Sequence, residues 1–147
     1  MVALRILALV LMAIVLVPSA AHMFELPGKI GLDRDAYFIV QGIYAGWALF
    51  AVPIFAAIIV NFALFVMERR RHSGGGLWAL AGALLVAVSL GVFFTFVFPG
   101  NQQTASWTVQ HEDWEALRHN WEYGHAANAI IVLAAFLATA MSVVRRD

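Results

Sequence analysis

The sequence predicts an all-α, integral membrane four-helix bundle with both termini in the cytoplasm, and three observations lead there. Of its 147 residues, 63% are hydrophobic and only 12% are charged, against about a quarter charged in ordinary soluble domains. Such a chain cannot cover a water-facing surface with polar groups, so part of its solvent is lipid. Its apolar residues also gather in four runs, each close to or beyond the ~20 residues that cross ~30 Å of hydrocarbon as a helix. Finally, the arginines cluster where an even number of crossings returns the chain to one side of the membrane. Residues 1–147 therefore form one four-span domain, with no length left for a soluble one.

The first run, about 2–23, begins at Arg5 on the inner side and closes with His22. Pro18-Ser19-Ala20-Ala21 also fits the end of a cleaved signal peptide covering residues 1–21. Retention is the expectation, because the polar residues just beyond the run match others across the bundle. The second run, about 37–67, is overlong, so its first turns stand in the outer interface. Within it, Gly42 and Gly46 form a GxxxG pair suited to close helix packing, and Pro53 is expected to bend the span. The third run covers about 77–98 and leads into Pro99-Gly100-Asn101. The fourth helix covers about 113–144, with its membrane part from about 126 and a small-xxx-small pair at Ala134 and Ala138.

Arg69, Arg70 and Arg71 follow the second run, and Arg145 and Arg146 follow the fourth. Placing these and Arg5 inside satisfies the positive-inside tendency and puts residues 25–36 and 99–124 outside. A bacterial inner membrane, crossed four times, is the expected location, and membrane lipid the expected partner. The chain has no cysteine, which excludes disulfides, thiolate metal sites and CxxC redox pairs. A net charge of zero gives no support to a nucleic-acid partner.

Chemistry concentrates at the outer face. On a helical wheel Trp114, Arg118, Trp121, Glu122, His125 and Asn128 share an arc of about 120°. An interfacial aromatic belt accounts for the tryptophans, but not for Arg, Glu and His on one stripe. The first run ends His22-x-x-Glu25 going outward, and the fourth begins Glu122-x-x-His125 going inward. Antiparallel helices therefore hold both pairs at matched depth, each pair on one helix face. Tyr37, Gln41 and Tyr44 add two phenols and an amide at the same level, and Asn101 adds a second amide. The four spans thus converge on one pocket with apolar walls and few polar groups.

Three uses of that pocket stay open: a salt-bridged polar network or organic-ligand site, a single transition-metal ion held by His22, Glu25, Glu122 and His125, and a haem with His22 and His125 as axial ligands. The sequence leaves the cofactor open between none and one transition-metal ion. Asn61 and Glu68 are isolated from this region and are expected to be structural.

The pattern Pro99-x-Asn101, Trp107 and Trp114-x-x-Leu117-Arg118-x-x-Trp121-Glu122-x-x-His125, with His22 closing the first run, resembles the anthrone oxygenase-like family of small four-helix membrane proteins, largely of unknown function. It looks closest to the bacterial members with a Trp-Glu-x-x-His element. Asn128 stands where members often carry an arginine. The resemblance implies site roles for Asn101, Trp114, Arg118 and His125. It also implies oxidation of a polycyclic anthrone by dioxygen without an evident metal or flavin.

Such a substrate reacts with dioxygen once deprotonated, so the site needs a base and a cation beside the developing enolate oxygen. The expected catalytic set is His125 as base, Glu122 to position it and Arg118 as the stabilising charge. Tyr37, Tyr44, Trp114 and Trp121 would stack on a flat substrate, with His22, Glu25, Gln41 and Asn101 completing the pocket. The expected function is a membrane oxygenase or oxidoreductase acting on a lipophilic molecule. The alternative is a non-catalytic module that binds lipid or quinone or stabilises a partner.

Overall fold

The computed structural model describes residues 1–145, and Arg146, expected among the cytoplasmic arginines, lies outside them. Helix α1 spans Val2–Lys29, six residues beyond the expected end at Met23. At ~1.5 Å per residue its length exceeds ~30 Å of hydrocarbon. Pro27 sits in the last turn without ending the helix. A short helix, α2, runs Arg34–Gln41, capped by the Asp33 carboxylate accepting from the Ala36 amide at 2.9 Å.

The expected continuous helix over 37–67 is broken. After α2 the chain passes through two 3-10 turns, Gly42–Tyr44 and Trp47–Phe50, before α3 begins at Ala51 and runs to Arg70. The break lies at Gly46, whose φ of 84° is open to glycine and strained for other residues. Gly42 and Gly46 are therefore not a helix-packing pair, and a Cβ on either would meet nothing within 4 Å. Pro53 occupies the first turn of α3, where a backbone donor has no partner inside the helix in any case.

Helix α4 spans Gly76–Val92, widens into a π turn at Phe93–Val97 and continues as α5, Phe98–Gln103. The longest helix, α6, covers Trp114–Val144. Among the described residues, four stretches are long and apolar enough to cross a membrane: Val2–Lys29, Trp47–Arg70, Gly76–Gln103 and Trp114–Val144. Their outward faces carry large exposed apolar side chains, among them Val17, Ile59, Leu84 and Ile130. That surface is compatible with lipid and not with water, as expected of a multi-pass membrane protein.

The long helices form a ring in which α1 packs on α3 and α6, and α4 packs on the same two. Three apolar layers fill it. Ala8, Leu64 and Ala79 lie near the termini. Met12, Val15, Ala57, Val86, Val132 and Ala135 occupy the middle. Tyr37, Val97, Trp107, Leu117 and Trp121 form the layer at the far end.

Close approach is set at Gly82, where a Cβ would lie 2.7 Å from the Thr139 hydroxyl. Thr139 donates to the buried Asn61 carbonyl at 2.8 Å. Of the expected small pair on α6, Ala138 is buried but Ala134 is exposed. Near the termini the Arg5 guanidinium donates twice to the buried Glu68 carboxylate, at 2.7 and 3.0 Å. Asn61 and Glu68 thus tie α3 to its neighbours.

Candidate functional site

The far end of the bundle, opposite the termini, is organised around an ammonium group. Because α1 runs on to Lys29, that side chain enters the interior and is only 4% exposed. A buried ammonium needs compensation. Here it lies 3.1 Å from Glu122 Oε1, 3.7 Å from Glu25 Oε2 and 2.7 Å from the Tyr44 hydroxyl. It also stands 4.7 Å above both the Tyr44 and Trp121 rings, a two-sided cation–π contact.

Two phenols extend the network. Tyr37 donates to Glu122 Oε1 at 2.9 Å and accepts from the Gln41 amide. Tyr44 donates to Glu25. Burial, with the negative charge of Glu122 beside it, pushes the Tyr37 phenol far above its ordinary value. Burial and the hydrogen bond to Glu25 do the same to Tyr44. Both phenols therefore remain neutral donors.

Tryptophans wall the network, and their placement has a local cause. Ala105, Ser106 and Trp107 all adopt left-handed backbone conformations, with φ of 46°, 59° and 64°. This costs roughly 1–2 kcal/mol per non-glycine residue. The turn is held by Ser106 N–H donating to the Asn101 carbonyl and Trp107 N–H donating to the Thr104 hydroxyl. It buries the Trp107 ring, whose centroid lies 5.1 Å from that of Tyr37. Asn101 Oδ1 accepts from both Trp107 Nε1 and Trp121 Nε1, at 3.2 and 2.9 Å. Its role is to orient two indoles.

His22 and His125 meet face to face, with centroids 3.9 Å apart and planes at 27°. Tyr44, Trp47 and Trp121 surround His22, and the π turn brings Phe93 to His125. Direct stacking leaves no space for a porphyrin between the imidazoles, so the axial-ligand geometry is not present. The four expected metal ligands do not converge either. Lys29 stands between the two carboxylates where a metal cation would sit. Among the described residues, no group of three or more His, Asp or Glu side chains is arranged to hold a metal ion.

The members of the expected catalytic trio make separate contacts. Glu122 is engaged by Lys29 and Tyr37, with no hydrogen bond to His125. Arg118 donates to the Leu32 carbonyl at 2.6 Å and lies 4.5 Å over the Trp114 ring. His22, Glu25, Tyr37, Gln41, Tyr44, Asn101, Trp121, Glu122 and His125 do share one region, with Arg118 and Trp114 at its rim. Outside it, His119 stacks on Tyr123 and His111 accepts from the Asp113 amide.

The sequence reading missed Lys29 and Trp47 as site residues. The signal for Lys29 was its i,i+4 spacing from Glu25 in a helix that had to continue through Pro27. Several buried polar atoms here have no partner among the described residues, notably His22 Nδ1, Gln41 Oε1 and Glu122 Oε2. Comparison with protein-family models, curated proteins and solved structures finds no match to this chain.

Proposed function

We propose that the protein is a membrane oxidoreductase of the anthrone oxygenase-like kind, which takes a lipophilic carbon acid from the bilayer and oxidises it with dioxygen. The observation that supports this most is the Lys29 ammonium, buried among two carboxylates, the Tyr44 phenol and the Trp121 indole face. A positive charge held in a dry, aromatic setting stabilises a developing enolate far better than one in water.

In this reaction a methylene flanked by two aryl rings, and conjugated through them to a ketone on the far side of the central ring, loses a proton to a base, and the carbanion gives its electron pair to dioxygen as a C–O bond forms. Protonation yields a hydroperoxide, and cleavage of its O–O bond with loss of water leaves a second carbonyl. The balance is R2CH2 + O2 → R2CO + H2O. His125 is the base in this scheme and Lys29 the stabilising cation. Both lie on the Trp121 ring, at 4.2 and 4.7 Å from its centroid. Arg118 stays at the rim. The arginines after α3 support a cytoplasmic location for the termini and hence a site at the outer face of a bacterial inner membrane.

The test is oxygen uptake and ketone formation from anthrone by protein in lipid nanodiscs, against empty nanodiscs. His125→Ala should lower the rate ~10²–10⁴-fold, and Lys29→Met should also abolish it. Uptake no faster than in empty nanodiscs overturns the proposal.

One observation favours the non-catalytic alternative, a lipid- or quinone-binding or partner-stabilising module: Lys29, Glu25 and Glu122 already pair with one another. In that case turnover is absent and Glu122→Gln lowers thermal stability alone. Elemental analysis of purified protein tests the remaining metal reading.

A further inference from the structure

Positive charge gathers at the end of the bundle that carries the termini. Arg5, Arg69, Arg70, Arg71 and Arg145 stand there, and the nearby carboxylate of Glu68 is taken by Arg5 through two hydrogen bonds. Arg145 lies 5.4 Å over the Trp78 ring. Arg69, Arg70 and Arg71 are exposed, and among the described residues no carboxylate lies within ion-pairing distance of them.

Orientation needs only the number of such charges on one side. It does not explain why one of them is built into a recess. That recess, of about 370 Å³, lies in the connection from α3 to α4 and is lined by Arg69, His72, Ser73, Gly74 and Leu77. Its volume falls within the ~300–1,000 Å³ of small-molecule sites. Packing places Arg69 there. Its stem lies against the start of α4, where a Cβ on Gly76 would come 3.2 Å from Arg69 Cγ. Arg70 and Arg71 do not line the recess. The Ser73 hydroxyl is already engaged by the Gly75 amide at 3.2 Å, so the donors left to a ligand are the Arg69 guanidinium and the His72 imidazole.

A planar guanidinium without a carboxylate matches phosphate oxygens, and the neighbouring arginines add attraction for any anion. The recess also continues as an apolar track. Leu77, at its edge, is 64% exposed, and Leu84 and Val88 are 57% and 53% exposed further along α4. On a helical wheel the three fall within about 40° of one another. A free phosphate would use the recess alone. A lipid uses the recess and the track.

We infer that this recess holds the phosphodiester headgroup of an anionic lipid from the leaflet on the side of the termini. The phosphate accepts from Arg69 and His72, and an acyl chain follows Leu77, Leu84 and Val88. Bound lipid supplies the counter-charge that the protein does not, and so stabilises the bundle. The site lies at the opposite end from the Lys29 network and does not depend on the proposed oxidation.

The test is native mass spectrometry of the full chain in detergent, titrated with dimyristoylphosphatidylglycerol. Saturation at one lipid per chain is expected, with dimyristoylphosphatidylcholine weaker by about tenfold or more. Arg69→Gln, Arg70→Gln and Leu77→Glu each lower the charge of this end equally. Diffuse attraction predicts equal losses from all three. The site predicts about tenfold or more from Arg69→Gln and Leu77→Glu, and a much smaller loss from Arg70→Gln.

Leu77→Glu alters an exposed position and leaves the Arg69 stem on Gly76, so it decides the matter where Arg69→Gln fails to fold. Equal losses, or no preference for phosphatidylglycerol over phosphatidylcholine, overturn the site. Inorganic phosphate should raise the thermal unfolding temperature less than the lipid does. Equal stabilisation by phosphate, lost in Leu77→Glu, would make a free anion the occupant and overturn the lipid assignment.

Discussion

At Lys29 a single ammonium holds two carboxylates from different helices, and its removal shows what the pairing is worth. Lys29→Met leaves the fully buried Glu122 without its cation, which should cost roughly 3–5 kcal/mol. Adding Glu122→Gln should recover much of that, because the uncompensated charge disappears. Thermal unfolding of the three variants in detergent measures the coupling. The phenols make a second residue-scale test. Tyr37 and Tyr44 have values raised by burial and neighbouring carboxylates. Their contribution to stability is therefore intact below the ordinary phenol value and is lost only as pH climbs toward the raised ones. At about pH 11, above that ordinary value, Tyr37→Phe/Tyr44→Phe protein should show the same tyrosinate absorbance as the unaltered protein while the bundle remains folded. A drop in the variant's signal would mean that the phenols ionise in place. Most of these residues were legible from helical spacing: Tyr37, Gln41 and Tyr44 on one segment, Glu122 and His125 on another. Their partners were not. Spacing tells which side chains share a face, but a carboxylate flanked by an ammonium and a phenol is a matter of three helices meeting.

The element that departs furthest from sequence expectation is the stretch between Tyr37 and Ala51. Its hydropathy is continuous, so a helix was the natural expectation. The backbone instead turns at Gly46, and the turn lets α2 lie across the end of the bundle with Tyr37 and Gln41 directed inward. Gly46→Ala should cost ~1 kcal/mol or more through its positive φ. Gly42→Ala, in a right-handed conformation with open space around it, should be neutral or slightly stabilising. Equal losses from both, measured by thermal unfolding, would restore the packing role once expected of the pair. The opposite lesson comes from α6, where the polar and aromatic stripe lies on one unbroken helix that keeps its periodicity from Trp114 to Val144. Where a helix is continuous, a wheel suffices. Where a single glycine redirects the chain, hydropathy is blind, since lipid-facing and turn-forming residues can be equally apolar.

At the scale of the whole molecule, four apolar helices follow from composition and run length alone, their ring arrangement comes from packing, and orientation rests on the arginines. The absence of cysteine makes that orientation simple to test. His72→Cys, after α3, should resist a membrane-impermeant thiol reagent applied to intact cells, and Glu112→Cys, in the opposite loop, should react. The reverse pattern inverts the protein. A last consequence belongs to the middle apolar layer of Met12, Val15, Ala57, Val86, Val132 and Ala135, each no more than 3% exposed. It separates the Arg5–Glu68 pair at one end from the Lys29 network at the other. A proton crossing it would leave hydration and partners together, a penalty of several kcal/mol at least. The layer is an insulator. Protons exchanged at the Lys29 end are therefore expected to return to the side they came from, neither drawing on the membrane potential nor dissipating it. Proteoliposomes should hold a potassium diffusion potential as long as protein-free vesicles do, and a faster decay would reveal a conducting path through the bundle.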